Sequence, residues 1–427
     1  MPDTTIESTT IGSAVTEPFA AQTYGVRRWV VAFVLCLSVL TGFFDRISVA
    51  VLFTNTDFTS AIGIGFDPVK LGWLMTAFLL AYGASSLLLG GLGDLLGPRL
   101  TLAVSAGIWG LTMIVMGSTS SYLVMIICRV VLGLAEGPQF ALLSKTVTRW
   151  FPPAEHGRAN STWMIGGPLG SALGFPLSIW LVHEYGWRAS FHVLAALNLL
   201  IVIPLVLLVV SDWPPGTTAQ QKHALESSNS RGATMAEDFR HLAGNLQFWL
   251  LVVLNCGVLI YLWGLTSWLP TYLEKVHGLR LAQLGIFSSL PFLLTFLAEI
   301  ATGFVSDWLG RRAIIALLGL LCAGALMYVG SQMSDPYLAA TLIALSSAGW
   351  GFAVPCIYAM SYAVIPKRLT ATGVGAVNGV GNLLGAVTPL IMGIILAQTG
   401  SYNAGLMVIV LGSIFFACAA LPLLRRY

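Results

Sequence analysis

The chain has 427 residues, of which 56% are hydrophobic and 9% are charged, and its formal net charge is +3. The mean hydropathy is +0.83, and the charged fraction is far below the ~25% of soluble domains, so the composition excludes a soluble globular protein. Glycine is abundant, with 45 residues, which suits the close packing of helices in lipid.

A polar tail over residues 1–28 ends in Arg27 and Arg28, and the apolar run that follows is too long for a signal-peptide core. We predict that this run is an uncleaved first membrane span. Because a span needs about 20 apolar residues, the sequence predicts an all-α membrane protein of twelve transmembrane helices. Their predicted bounds are roughly 29–52, 71–93, 100–119, 122–147, 160–183, 189–210, 246–273, 282–306, 312–331, 337–362, 371–397 and 403–424.

The longest polar stretch, 211–245, predicts a central cytoplasmic loop between two six-helix halves, 29–210 and 246–424, and residues 425–427 form a short C-terminal tail. Of the 21 lysines and arginines, fifteen fall on the side of the N-terminus, four in loops on the other side and two within spans. The positive-inside rule therefore predicts that both termini are cytoplasmic and that the protein is a multi-pass protein of the inner (plasma) membrane.

Two loops with a related pattern follow spans 2 and 8 and indicate an internal repeat. The first contains Gly90, Asp94, Gly97 and Arg99, and the second contains Gly303, Asp307, Gly310, Arg311 and Arg312. One such loop alone is an ordinary charged turn, but the two aspartates are 213 residues apart, the displacement expected for parallel halves with a site at midplane. We expect a cytoplasmic gate formed by Asp94, Arg99, Asp307, Arg311 and Arg312.

Five ionisable residues lie inside predicted spans, where a charge costs at least ~2.5–3.5 kcal/mol at the helix centre. They are Asp45, Arg46, Arg129, Glu136 and Glu299. At a rise of about 1.5 Å per residue, Asp45 and Arg129 reach similar heights, which predicts an ion pair between them. Glu136 is two helical turns from Arg129 on the same face and has no evident partner. The alternative reading is an ion-pair network that only holds spans 1 and 4 together.

Glu299 lies about 12 Å inside the cytoplasmic end of span 8. Three roles stay open for it: proton coupling, tuning of a cavity, or pairing with a polar group of the second half. Uncharged candidates near midplane are Tyr82, Tyr261, Trp350, Asn378 and Asn382. We expect them to line a substrate cavity, with ordinary packing as the alternative for the aromatic residues.

The two loops resemble the conserved cytoplasmic loop motif of the major facilitator superfamily. Further segments resemble its anion:cation symporter branch, namely Phe44–Arg46, Arg129–Gly137, Trp150–Pro152 and Trp268–Leu273. The resemblance covers residues 27–424 and implies the twelve-helix major facilitator fold. It also implies that Arg46 contacts a substrate carboxylate and that Asp45 and Glu136 carry protons. Phe43 departs from the pattern, since several sugar-acid carriers of this branch have Tyr at that position.

The sequence and the resemblance together predict a secondary active transporter that takes up an organic anion with protons by alternating access. A sugar acid (hexonate, aldarate or uronate) ranks first as substrate, ahead of an aromatic or dicarboxylic acid. A proton-driven drug exporter is less favoured, because Arg46 and Arg129 would repel a cationic substrate. A membrane sensor is also less favoured, because it would be expected to carry a soluble signalling extension, which we do not find in the sequence. The proton-coupling candidates are Asp45, Glu136 and Glu299, and Arg46 and Arg129 are candidate anion ligands.

No Walker-type loop, no Gly-x-Ser-x-Gly elbow and no His-Glu-x-x-His pattern occurs in the chain. We therefore expect no enzymatic activity, no cofactor and no metal. The expected partners are a small organic anion, protons and the lipid bilayer, without nucleic acid, and the expected functional unit is a monomer.

Overall fold

The computed structural model describes residues 25–89, 96–152, 155–217, 240, 242–366 and 369–427. Within these ranges the chain is helical, without a β-strand, and twelve helices are long and apolar enough to cross a membrane. The all-α prediction and the predicted number of spans are confirmed. Spans 1 to 12 are, in chain order, Arg27–Thr54, Pro68–Leu88, Pro98–Ser118, Tyr122–Trp150, Arg158–Tyr185, Trp187–Val209, Leu246–Lys275, Ala282–Ser306, Arg312–Ser331, Pro336–Val364, Gly373–Thr399 and Tyr402–Arg425.

Several spans consist of more than one helical piece. Span 4 comprises Tyr122–Glu136 and Gln139–Trp150, and its break at Gly137 and Pro138 follows from the missing N–H of proline. Other pieces are Thr56–Ala61 between spans 1 and 2, His156–Met164 and Gly166–Tyr185 in span 5, Trp187–Leu197, the π-helical Asn198–Val202 and Ile203–Val209 in span 6, the continuous helix Leu281–Leu309 around span 8, Thr370–Gly385 and Thr388–Thr399 in span 11, and Tyr402–Ala417 with the 3-10 turn Cys418–Arg425 in span 12.

Both ends of the described chain lie on one face of the bundle, here named the terminal face. Arg28, at the start of span 1, pairs with Glu155 at 3.1 Å, next to the start of span 5. The carbonyl of Tyr427 accepts a hydrogen bond of 2.7 Å from the backbone N–H of Ala313, at the start of span 9. The other end of the bundle is named the opposite face. The predicted central loop over 211–245 lies mostly outside the described residues.

The two halves meet along three pairs of spans: span 2 with span 11, span 5 with span 8, and span 1 with span 7. Towards the opposite face, the rings of Phe53 and Trp268 meet edge to face with 5.2 Å between centroids. A Cβ on Gly72 would lie only 2.7 Å from the carbonyl oxygen of Pro389, so span 2 and span 11 touch backbone to backbone there. These contacts close the interface between the halves on its opposite-face side.

Candidate functional site

Four of the five predicted interior charges gather in the first half. Asp45 and Arg46 come from span 1, and Arg129 and Glu136 come from span 4; all four side chains are at most 2% exposed. We name them the interior charge cluster. Arg46 binds Glu136 directly, with Nη2 and Nε at 3.2 and 3.3 Å from the same carboxylate oxygen, Oε2. The partner of Glu136 is therefore Arg46, which the sequence alone did not indicate.

Two glycines, one beside the ion pair and one between spans 2 and 4, allow the close packing around this pair. A Cβ on Gly42 would lie 2.5 Å from Glu136 Oε1, so the carboxylate occupies the space that a side chain on span 1 would fill. Gly137 approaches Ser85 of span 2 so closely that a Cβ would come within 2.6 Å of the serine Cβ. Spans 2 and 4 thus pack tightly, and the polar face of span 4 is pressed into the interior.

The predicted ion pair between Asp45 and Arg129 is wrong, because no side-chain nitrogen of Arg129 lies within 4.0 Å of a carboxylate oxygen of Asp45. The guanidinium of Arg129 instead turns towards span 2, where Nε donates to the carbonyl of Leu74 at 2.9 Å and Nη2 contacts the sulfur of Met75 at 3.5 Å. Similar height along two helices did not bring the groups together, because the tight packing of span 4 on span 2 set the direction of the arginine.

Asp45 nevertheless lies within electrostatic reach of Arg46, Arg129 and Glu136, and close to the amide of Asn198 in span 6. Neither carboxylate oxygen of Asp45 meets a hydrogen-bond donor in the described part of the chain, and neither do Arg129 Nη1 and Glu136 Oε1 find a partner there. Buried polar atoms without partners are costly. The cluster thus contains buried polar atoms without hydrogen-bond partners, and a proton or an incoming anion can supply the missing partners.

Aromatic rings surround the guanidinium of Arg46. Its Cζ lies 4.6 Å from the ring centroid of Phe43, 4.7 Å from Tyr82, 5.4 Å from Phe78 and 5.5 Å from Trp263. Three of these rings belong to the first half, but Trp263 belongs to span 7, so Arg46 faces the interface between the halves. The sequence analysis selected Tyr82 but not Phe78 or Trp263. The sequence shows these two only as aromatic residues within spans, which does not distinguish them from ordinary packing residues.

A line of hydrogen bonds continues from Trp263 into the second half. Its Nε1 donates to Asn382 Oδ1 at 3.0 Å, and Asn382 Nδ2 donates to the carbonyl of Asn378 at 2.9 Å. The hydroxyl of Tyr358 then donates to Asn378 Oδ1 at 3.3 Å. The structure brings Asn378 and Asn382, both predicted from sequence, to the neighbourhood of Arg46 through Trp263. Tyr358 was not selected, although a tyrosine three residues after Pro355 within a span was a usable signal.

Tyr261 and Trp350 lie together in a packed contact between spans 7 and 10. The Tyr261 hydroxyl is 2.5 Å from Ser346 Oγ and 2.9 Å from Ser347 Oγ, and its ring stacks on Trp350 with 6.1 Å between centroids. Trp350 Nε1 donates to the carbonyl of Val258 at 3.0 Å. The polar atoms of both residues are thus engaged within the second half, and contact of either residue with substrate stays a prediction.

Glu299 lies on the inward face of span 8. Thr295 and Thr302, one turn on either side of it, are fully buried, whereas Ile300 and Phe304 on the other faces are 47% and 76% exposed. Tyr358 of span 10 lies within electrostatic reach of both Glu299 and Tyr82. Glu299 therefore faces the same interior as the polar residues of span 11, on the terminal-face side of the interior charge cluster.

The predicted gate residues are only partly described. Asp94 and the side chain of Asp307 lie outside the described residues. Arg99 is held within the first half, because its backbone N–H donates to Asp212 Oδ1 at 2.8 Å and its guanidinium donates to the carbonyl of Leu207. Arg311 is exposed and precedes the helix of span 9, which begins with Arg312. A gate role of these residues stays a prediction.

A family model described as Major Facilitator Superfamily matches residues 31–389. The chain is 28% identical over 391 residues to the "Probable sulfoacetate transporter SauU" of Cupriavidus necator, which covers 88% of this chain and 89% of that protein. It is 25% identical over 386 residues to the "Probable L-galactonate transporter" of Escherichia coli, with 88% of this chain and 84% of that protein covered. The "Probable galactarate/D-glucarate transporter GudP" of the same organism is 28% identical over 378 residues, with 81% and 82% covered.

A solved structure of a bacterial homologue of the human lysosomal transporter Spinster, in an inward-facing conformation, has the same fold. It matches with a TM-score of 0.73 at 19% identity, over 93% of this chain and 95% of that chain. The twelve apolar helices therefore form a multi-pass membrane protein that is a transporter and not an enzyme. The family match extends over most of both halves and includes the interior charge cluster. The chain belongs to the major facilitator superfamily.

Proposed function

We propose that this protein is a secondary active transporter that takes up an organic anion, most readily a sugar acid, together with protons. The observation that carries the proposal is the fully buried Arg46–Glu136 ion pair at the interface between the halves. The three relatives are named for the transport of sulfoacetate, L-galactonate, and galactarate or D-glucarate, and all of these are organic acids. Their names support an anionic cargo for this chain.

In the proposed mechanism, anion and proton enter the site together because the anion and the Glu136 carboxylate compete for one guanidinium. The planar fork of Arg46 can bind both oxygens of a carboxylate, so an incoming acid displaces Glu136 from it. A buried carboxylate that has lost its cationic partner is far less stable than a paired one. Glu136 therefore takes up a proton when the anion arrives. The total charge of the interior charge cluster together with the bound anion is then unchanged by loading.

Asp45 is the second proposed proton carrier, because both of its oxygens lie in the cluster without a hydrogen-bond donor among the described residues. Arg129 contributes positive potential from the span 2 side, where its Nε is bound to the carbonyl of Leu74. Tyr82 on one side of Arg46, and Asn378 and Asn382 beyond Trp263, supply neutral groups for the rest of the substrate.

Alternating access requires that the interface between the halves open on one face at a time. Its opposite-face side is closed by Phe53, Trp268 and the contact of Gly72 with Pro389. The excess of lysine and arginine on the terminal-face side supports a cytoplasmic location of that face in an inner (plasma) membrane. We further propose that one chain is the working unit, because it contributes both halves of the site.

An aromatic carboxylate is the second candidate substrate. The four aromatic rings around Arg46 favour it, because they make more contact with the flat apolar ring of an aromatic acid than with the hydroxylated chain of a sugar acid. The two candidates differ in a direct competition experiment, in which unlabelled hexonates, uronates and benzoates are added to the uptake of a labelled acid. The class that competes at the lowest concentration is the substrate class.

The proton-coupling proposal is tested with Glu136→Gln in proteoliposomes. We expect loss of uphill, gradient-driven accumulation, while exchange of labelled for unlabelled acid across the membrane partly survives, because the amide imitates a permanently protonated acid. Glu274→Gln is the matched control: Glu274 is a partly exposed acid at the opposite-face end of span 7, beside Lys275, and its loss should leave accumulation normal. Full uphill accumulation by Glu136→Gln contradicts the assignment.

A further inference from the structure

We propose that Glu299 is a charge filter that makes the site selective for acids with one anionic group and disfavours diacids. The inference rests on the proposed function and narrows its substrate class to monoanions, such as hexonates and uronates, over the dianionic aldarates. Glu299 is thereby assigned a specificity-determining role.

The first observation is the unequal distribution of charge between the halves. The two arginines that lie remote from the ends of a span, Arg46 and Arg129, both belong to the first half. In the sequence of the second half, lysine and arginine occur only at the ends of spans or between spans. Among the aspartate, glutamate, lysine, arginine and histidine residues of the second half, Glu299 is thus the one that is remote from a span end. Away from the span ends, a second carboxylate of a substrate therefore meets no lysine or arginine of the second half.

The second observation is that one guanidinium of the two is directed at the interface. Arg46 lies against the Trp263 ring of the second half. Arg129 is fully buried, contacts the carbonyl of Leu74 and the sulfur of Met75, and lies 4.4 Å from the ring centroid of Phe78. The Phe78 ring also lies 5.4 Å from Arg46, so both guanidinium groups contact this ring. The site accordingly offers one guanidinium, that of Arg46, to bind one carboxylate of the substrate.

The third observation is the path from Arg46 to Glu299. Neutral groups of the second half, Asn382, Asn378 and Tyr358, follow one another by hydrogen bonds from Trp263. Tyr358 lies within electrostatic reach of both Tyr82, which stacks on Arg46, and Glu299. An acid bound to Arg46 therefore extends its other end along neutral side chains towards a carboxylate.

The effect of Glu299 on that other end depends on its chemistry. An ionised carboxylate accepts hydrogen bonds and donates none, so it can bind a substrate hydroxyl. A second substrate carboxylate meets a like charge in an interior where charges are weakly screened, and such juxtaposition is strongly unfavourable. Glu299 therefore favours substrates whose second end is neutral, such as a hydroxylated chain, and disfavours substrates whose second end is anionic.

The test uses pairs of acids that share a skeleton and differ by one carboxylate: gluconate with glucarate, galactonate with galactarate, and benzoate with terephthalate. Binding to the purified protein is measured by the change in tryptophan fluorescence, so that the result does not depend on a proton gradient. We expect the wild-type protein to bind the monoacid at least about tenfold more tightly than its diacid, or about 1.4 kcal/mol. Glu299→Gln should reduce this ratio to about threefold or less, which is about 0.7 kcal/mol.

Two variants are controls. Glu299→Asp retains the charge and should retain the preference, and Glu274→Gln removes one negative charge remote from the site and should not change it. Equal binding of both members of each pair by the wild-type protein overturns the inference, as does an unchanged ratio in Glu299→Gln. If the sugar acids do not bind but benzoate keeps its advantage over terephthalate, the sugar-acid proposal fails and the charge filter stands. If no acid binds, both proposals fail.

Discussion

The Arg46–Glu136 pair allows a quantitative prediction. At the observed 3.2 Å, and with an effective dielectric constant of about 20, two unit charges attract each other by about 5 kcal/mol. Both side chains are at most 2% exposed, so loss of one partner leaves the other charge buried and unpaired. Removing one member of such a pair typically costs about 3–5 kcal/mol. We therefore expect Arg46→Gln and Glu136→Gln each to lower the free energy of unfolding by about 3 kcal/mol or more.

The double variant is expected to lose much less than the sum of the two single losses, because it leaves no lone charge. We expect a coupling free energy of about 2 kcal/mol or more, near the upper part of the range for contacting residues. The assay is unfolding of the purified protein by sodium dodecyl sulfate in mixed micelles, followed for the wild type, both singles and the double.

A cycle that combines Arg46→Gln with Glu274→Gln is the control. Glu274 is eleven residues from Trp263 in span 7, about 16 Å along the helix, so its effect should be additive with that of Arg46→Gln within about 0.5 kcal/mol. Additive losses for the Arg46 and Glu136 singles, to within the same margin, would refute the ion pair. The competition mechanism for proton coupling would then lose its structural basis.

Three further variants test other parts of the structure. Gly42→Ala places a methyl group 2.5 Å from Glu136 Oε1, so we expect transport to fall at least fivefold; Gly375→Ala, where nothing lies within 4 Å, is the control, and near-normal transport in Gly42→Ala contradicts the position of the carboxylate. Gly72→Val should hold spans 2 and 11 apart at Pro389 and increase thiol-probe labelling of a cysteine introduced near the opposite face; unchanged labelling speaks against a closing contact there. Asp212→Ala removes the acceptor for the backbone N–H of Arg99 at the start of span 3. We expect it to lower the free energy of unfolding by about 1 kcal/mol in a thermal unfolding assay and to leave transport unchanged; unaltered stability would show that this hydrogen bond does not stabilise the protein.

The sequence alone was sufficient for the number of spans and for the set of interior charges. Twelve apolar runs of sufficient length were visible without a structure, because the thickness of a bilayer demands about 20 apolar residues per span. Asp45, Arg46, Arg129, Glu136 and Glu299 stood out for the same reason, since a charge in such a run is costly. The rise of an α-helix per residue placed Asp45 and Arg129 at similar heights, but it did not predict the contact of Arg46 with Glu136.

The partners of these charges were decided only by tertiary packing. Depth along a helix says nothing about which neighbour a side chain faces, and that direction depends on how closely the helices approach. Gly137 lets span 4 press against span 2, so Arg129 binds the Leu74 carbonyl and not Asp45. Gly42 leaves space on span 1 for Glu136, which then reaches Arg46.

The contribution of the second half to the site was likewise beyond the sequence. Trp263 reaches Arg46 from a span more than 200 residues further along the chain, and no local pattern encodes a contact over such a separation. Asn378, Asn382 and Tyr358 join the same interior through hydrogen bonds that exist only when spans 7, 10 and 11 are packed together. Composition and span length thus determined which charged residues lie inside the spans, and the packing of spans on one another determined which of them meet.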